Sequence, residues 1–203
     1  MTTMKLYFAQ NTRATRPRWL LEELGVPYEL VPVDVHQREH KSPEYLRIHP
    51  MGSMPALEDD GHAIFESAAI LLHVADKYPE KGFAPAAGTV ERAEYYQWMM
   101  FCMATMEPPL SAYSAHSRFL PESDRVPGEA ERGKKRFTDI ARMLEEKLSA
   151  RSFIVGERFT AADVVMASIL NWGASMGLLE DFPVLRAYVA RQISRPAARR
   201  ALQ

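Results

Sequence analysis

The hydrophobic period of this chain changes once, at a segment rich in Pro, Gly and Ala (residues 79–88, PEKGFAPAAG), and that change constrains the fold most. Ahead of it, short strand-like runs alternate with helical ones. Residues 5–9 read as a strand. Residues 16–24 (RPRWLLEEL) put Trp19, Leu20 and Leu24 on one helical face, and Gly25 stops the helix. Residues 29–35, with Leu30, Pro32 and flanking valines, suit an edge strand. Ser42 and Pro43 open a short helix as N-cap and first helical residue. Residues 56–58 and 63–65 flank Asp60-Gly61, a hairpin signal, and a helix follows over 67–77 with Ala68, Leu71, Leu72 and Ala75 inward.

Beyond the linker every pattern is helical. Residues 93–106 form an amphipathic helix that Pro108-Pro109 is expected to end, and residues 129–148 carry Phe137, Ile140, Leu144 and Leu148 at helical spacing. Thr160 and Asp163 resemble a capping box, with Asp in place of the usual Glu or Gln, and Phe159 can staple onto Val164. The helix over 161–176 is apolar on nearly every side, which predicts burial at the centre of a bundle. The expectation is an α/β unit of order βαβαββα over residues 1–80, a linker over 81–89 and an all-α unit over 90–203.

Composition removes several functions. Twenty-five Lys+Arg against 26 Asp+Glu leave a net charge of -1, without the basic excess a nucleic-acid binder needs. One cysteine among 203 residues makes neither an internal disulfide, a CxxC pair nor a cysteine-rich zinc site, so no metal is expected. The first apolar run spans only residues 6–9, and the later runs 68–72 and 164–167 fall far short of the ~20 residues of a membrane span. A cytoplasmic protein without a membrane partner is expected.

Met54-Pro55 precedes the strand-hairpin-strand segment. A proline at a strand start marks a turn, and a cis bond there would aim the Met54 backbone outward. Glu66-Ser67 opens the next helix, whose amides and hydroxyl can hold a carboxylate while the Glu66 side chain holds an ammonium group. Each feature alone has an ordinary structural explanation. Together, an outward backbone edge beside a carboxylate-and-amine clamp describes a site for an extended peptide with a free amino-acid end.

The chain resembles the cytosolic glutathione transferase superfamily through LYFAQNTRATRPRWLLEELGVPYE, HKSPEYLRIHPMGSMPALEDDGHAIFESAAILLHVADKY and GERFTAADVV, segments that span both units. The resemblance implies a thioredoxin-like N-terminal domain with a cis proline before strand three, a helical C-terminal domain and a homodimer. The spacing of His40-Lys41, Ser53-Met54-Pro55 and Glu66-Ser67 is most similar to the bacterial and phi/theta-related serine branch. It also implies that the Met54 backbone pairs with the cysteinyl unit of glutathione, with Pro55 holding the turn. Glu66 and Ser67 would take the γ-glutamyl amine and carboxylate; His40, Lys41 and Ser53 would serve the glycine carboxylate. Read alone, HQREHK is a solvated loop.

The catalytic position departs from the family pattern. Serine-branch members carry a Ser four or five residues before the arginine matching Arg16, and others a Cys nearby, whereas this chain has no Ser, Cys or Tyr between Ala9 and Arg18. Thr12 aligns best with the serine and is the expected thiol donor, Asn11 the runner-up, with Arg13 adding positive charge and Thr15 read as helix N-cap. Met99, Met103 and Met106, with Tyr113 and His116, are the candidate pocket for a small hydrophobic electrophile; a methionine stripe at helical spacing also suits plain core packing. Cys102 reads as core. The implied activity is activation of glutathione, as co-substrate, for attack on hydrophobic electrophiles. Glutathione-dependent disulfide reduction or isomerisation, and a glutathione-binding regulatory role with little catalysis, are the alternatives.

Overall fold

The computed structural model describes residues 3–203 and resolves two compact units. The first runs as far as Ala84 and also contains Ser194–Gln203, so the last ten residues, expected with the helical domain, group with the α/β one. The second is Pro85–Ile193.

In the first unit β1 (Met4–Phe8), α1 (Thr15–Leu24), β2 (Tyr28–Pro32), α2 (Pro43–Leu46), β3 (Ala56–Asp59), β4 (His62–Phe65) and α3 (Ser67–Lys77) follow the expected order. The sheet runs β2-β1-β3-β4, with β1 parallel to β2 and the other pairs antiparallel. β2 is an edge, where Pro32 costs no ladder bond. Asp60 (φ 48°) and Gly61 (φ 80°) make the left-handed hairpin turn, Ser42 Oγ accepts the Tyr45 amide at 3.2 Å, and Gly25 caps α1 at φ 64°. Trp19, Leu20, Leu21 and Leu24 bury one face of α1 and Ala68, Ile70, Leu71, Val74 and Ala75 the inner face of α3. Leu72, expected inward, is half-buried.

The start of α1 differs from expectation. Ala14 stands at the cap, and Thr15 is the first helical residue, its hydroxyl donating to the Thr12 carbonyl at 3.1 Å. Thr12 takes the local capping role, since its Oγ1 accepts the Ala14 amide at 3.2 Å.

α9 (Pro196–Leu202) lies along α1 in the antiparallel sense. Near its start Arg195 forks onto Glu23 (2.5 and 2.8 Å), Arg200 donates to Glu22 at 2.6 Å, and the Gln10 side chain donates to the Leu202 carbonyl at 2.9 Å. Buried Ala197, Ala198 and Ala201 allow the two helices to approach closely.

The second unit contains α4 (Val90–Phe101), α5 (Glu107–Ser114), α6 (Pro127–Leu148), α7 (Ala161–Ser175) and α8 (Pro183–Ile193). Pro108-Pro109 does not end the helix before it. A π turn over Cys102–Met106, closed by Glu107 N–H onto the Cys102 carbonyl, widens the helix and lets the prolines enter the first turn of α5, where missing N–H groups cost little. A second π turn covers Ala115–Phe119.

α7 is almost wholly buried, as its all-round apolar pattern requires. Its capping box forms around Asp163, fully buried, whose carboxylate accepts Ile154 N–H (2.9 Å), Thr160 N–H (2.9 Å), Thr160 Oγ1 (3.1 Å) and Tyr188 Oη (2.7 Å). Glu145 of α6 accepts the Val184 and Leu185 amides, both at 2.9 Å, and so caps α8 from outside its own sequence. No described helix is long and apolar enough to cross a membrane.

Candidate functional site

Three segments of the first unit carry the candidate residues. The first is the β1–α1 loop. Ala9 is buried, and Gln10, Asn11 and Arg13 are exposed. Asn11 adopts the left-handed region at φ 59°, which Asn tolerates better than most residues. Thr12 is half-buried, and its hydroxyl donates to the Ala9 carbonyl at 2.7 Å.

Arg16, in the first turn of α1, is 3 % exposed, and its guanidinium donates to Ser67 Oγ at 3.3 Å. Ser67 is itself 2 % exposed and opens α3. This bond brings the N-terminal ends of two helices, of 10 and 11 residues, to one place beside a permanent cation. Partial positive charge at both ends and the guanidinium favour an anion there. Glu66, immediately before, is exposed and takes φ 70° and ψ 115°. A non-glycine residue in that region costs roughly 1–3 kcal/mol and needs surrounding structure to hold it.

The third segment is residues 40–54. Lys41 Nζ donates to the Met51 carbonyl at 2.8 Å, and Tyr45 Oη donates to the Ser53 carbonyl at 2.8 Å and to the Met54 sulfur at 3.4 Å. Burial raises the Tyr45 pKa, so the phenol remains a donor. Gly52 has φ 54°, and a Cβ there would lie 2.3 Å from the His40 carbonyl oxygen, so only glycine lets the two loops meet. The His40 ring is half-buried, and its Nδ1 is enclosed without a hydrogen-bond partner. Ser53 is exposed, Met54 half-buried, and the Met54–Pro55 bond is cis. Met54 stands just outside the ladder that begins at Ala56. Its side chain packs with Tyr7 and Ile48 on a small core of Val33, Tyr45 and Ala56.

His49 carries no signal in the sequence beyond its place before Pro50, yet it is a fixed part of this segment. It is 5 % exposed and packs between Tyr45 and Phe65, with ring centroids 6.5 and 4.9 Å away. Its Nδ1 accepts the Met51 amide at 3.2 Å. Tyr45 and Gly52 were likewise visible only as members of a helix or loop, and Arg16 only as the arginine that the family resemblance matches, because nothing local marks a buried guanidinium or a tight backbone contact.

The candidate electrophile residues lie in the second unit. Met99 and Met106 are fully buried in its core, whereas Met103, Tyr113 and His116 are half-buried. His116 Nδ1 accepts the Val126 amide at 3.2 Å. Cys102 is buried.

A four-stranded mixed sheet with a cis proline before its third strand, followed by a helical unit, defines the thioredoxin-like class with an all-α C-terminal extension. Residues 2–76 match the family profile "Glutathione S-transferase, N-terminal domain" and residues 97–196 match "Glutathione S-transferase, C-terminal domain". Glutathione S-transferase F9 of Arabidopsis thaliana is 32% identical over 79% of this chain and 76% of its own length. The chain belongs to the glutathione S-transferase family. It is also similar to the disulfide-bond oxidoreductase YfcG of Escherichia coli, at 29% identity over 97% of this chain and 93% of that protein. A Pseudomonas fluorescens glutathione transferase family member, solved with two glutathione molecules bound, superposes with a TM-score of 0.88 at 29% identity, covering 98% of this chain and 92% of that one.

Proposed function

We propose that this protein binds glutathione across the three segments above and activates it as a thiolate for attack on a small hydrophobic electrophile. The observation that carries the reading is the Arg16–Ser67 contact at 3.3 Å, which joins two helix N-termini and a guanidinium beside Glu66. The γ-glutamyl carboxylate takes the Ser67 end and its ammonium takes Glu66. The Met54 backbone pairs with the cysteinyl unit as an added strand does. Lys41, the enclosed His40 ring and Ser53 receive the glycine carboxylate. The Pseudomonas family member solved with glutathione bound supports glutathione as the ligand class. Met103, Tyr113 and His116 are the proposed electrophile contacts, and a cytoplasmic homodimer is the proposed state. Size-exclusion chromatography is expected to give twice the 23.0 kDa chain mass.

A free thiol titrates near ~8.5, and one pKa unit is about 1.4 kcal/mol. A hydrogen bond to a charged group is worth roughly 1.5–3 kcal/mol and a helix N-terminus about 0.3–1, enough for one to two units. Thr12 is the proposed principal donor. Its hydroxyl proton rests on the Ala9 carbonyl at 2.7 Å and would have to turn to the sulfur, giving up about 1 kcal/mol. That contact favours the exposed amide of Asn11 as a second reading, with Arg13 adding charge. Thiolate absorbance on titration with glutathione near neutral pH separates them: loss in Thr12→Ala supports Thr12, while loss in Asn11→Ala alone reverses the assignment.

The missing Ser, Cys and Tyr in residues 10–17, together with the similarity to a disulfide-bond oxidoreductase, favours one alternative activity, reduction of a disulfide by two glutathiones to two thiols and glutathione disulfide. Parallel assays with an aryl halide and a small disulfide decide between them. Binding without thiolate formation and without either turnover would point to a regulatory protein.

A further inference from the structure

The turn that offers the Met54 backbone is fixed by three side chains: His49 accepts the Met51 amide (3.2 Å), Lys41 donates to the Met51 carbonyl (2.8 Å) and Tyr45 donates to the Ser53 carbonyl (2.8 Å). Of these only the imidazole changes its hydrogen-bonding character between pH 5 and 8. A ring nitrogen that accepts an N–H carries a lone pair, so Nδ1 is unprotonated and the proton of the neutral ring sits on Nε2, a tautomer assigned from this bond.

We propose that His49 is a positioning residue for the glutathione-binding turn, that its neutral imidazole holds the turn in binding geometry, and that protonation of His49 weakens glutathione binding. The inference rests on the reading that this turn receives glutathione.

Two consequences of protonation act in the same direction. A proton on Nδ1 opposes the Met51 N–H with a second donor, so the bond is lost and the turn between Lys41 and Met54 loses one of its three anchors. The imidazolium also attracts Glu66, the carboxylate assigned to the γ-glutamyl ammonium, and so competes with the ligand for it. The groups that act on the ring are Glu66 and the backbone of His49 itself, which favour its charge, and Lys41, which opposes it; Tyr45 and Phe65 enclose it as uncharged aromatics.

Burial is the largest influence and holds the His49 pKa below the ordinary value of 6.5, so the ring is neutral above that value and charges only as pH falls below it. By linkage, glutathione must lower the His49 pKa by the logarithm of the factor with which protonation weakens binding. If the protonated form does not bind, Kd rises about tenfold per pH unit below the pKa of the free protein.

The test is the Kd of the full chain for glutathione, by isothermal titration calorimetry from pH 7.5 to 5, with circular dichroism at each pH. Glutathione's carboxyl groups titrate below this range, near ~3.5, and its thiol near ~8.5. The wild type is expected to bind about twofold more weakly at the midpoint of the His49 titration that NMR reads, and more weakly still below it. His49→Asn, whose amide oxygen can accept the Met51 N–H without titrating, should stay within about twofold over the same range. The imidazole resonance of His49, followed by NMR, should titrate at lower pH with glutathione present. A wild-type Kd that stays flat while the His49 resonance titrates, or an equal acid loss in His49→Asn, overturns the role of His49 and leaves the binding site standing. No binding at pH 7.5 overturns the glutathione reading, and the role of His49 with it.

Discussion

Replacing Asp163 with alanine is expected to be the most damaging single polar change in the helical unit. The carboxylate is fully buried and accepts four hydrogen bonds, from Ile154 N–H, Thr160 N–H, Thr160 Oγ1 and Tyr188 Oη. It therefore joins the start of α7 to the preceding loop and to α8. Asp163→Ala strands two buried amides and a buried phenol, each worth roughly 1–3 kcal/mol when left unpaired. Local relaxation and entry of water hold the total toward the low end, about 4 kcal/mol, against a typical stability of about 5–15. For a chain of this length that is a fall in Tm of roughly 8–16 °C. Asp163→Asn keeps one accepting oxygen and should lose about 2 kcal/mol, and Tyr188→Phe, which removes one donor and strands nothing, about 1. Urea denaturation followed by the fluorescence of Trp98 and Trp172 measures all three. A loss below about 1 kcal/mol at unchanged slope in Asp163→Ala, or a loss in Tyr188→Phe as large as that in Asp163→Ala, would refute this role of the carboxylate.

At Gly52, alanine would bring its Cβ to 2.3 Å from the His40 carbonyl at φ 54°; the loops must separate, so glutathione affinity should fall at least tenfold in a calorimetric titration while the helical unit keeps its stability. Burial opposes ionisation of Asp59, yet hydrogen bonds from Lys77 (2.6 Å) and His73 (2.8 Å) outweigh it and hold the pKa below the ordinary 3.8. Its stabilisation is therefore complete above about pH 4 and lost as pH falls through the folded value, and Asp59→Asn should flatten the stability-pH curve below pH ~4. Arg195 meets Glu23 in a two-pronged pair on a carboxylate with 9% side-chain exposure, so Arg195→Ala should cost about 1–3 kcal/mol, most of it absent in a Glu23→Gln background, as a double-mutant cycle will show.

How much of the site could be read in advance follows from the range of each signal. Met54-Pro55 and Glu66-Ser67 were legible because a proline before a strand and a small hydroxyl at a helix start act on their immediate neighbours. Arg16 was marked only by the family resemblance, with no local sign of its partner. Its role depends on meeting Ser67, 51 residues away, and the spacing within α1 says only that it faces inward. His49 is similar, because its protonation depends on the enclosure made by Phe65 on a separate strand.

The amino-acid sequence by itself determined the element order of the first unit, the hairpin at Asp60-Gly61, the caps at Gly25 and Ser42, the capping box at Thr160 and Asp163, and the burial of α7. Each rests on periodicity or on hydrogen bonds within one or two turns, and such terms are already complete in a short stretch of chain. Only the tertiary structure decided that Pro108-Pro109 is carried inside a helix by a π turn, that α8 is capped by Glu145, and that the last ten residues return to α1. Those outcomes depend on which distant surface satisfies a carbonyl, an amide or a carboxylate, a choice made by packing.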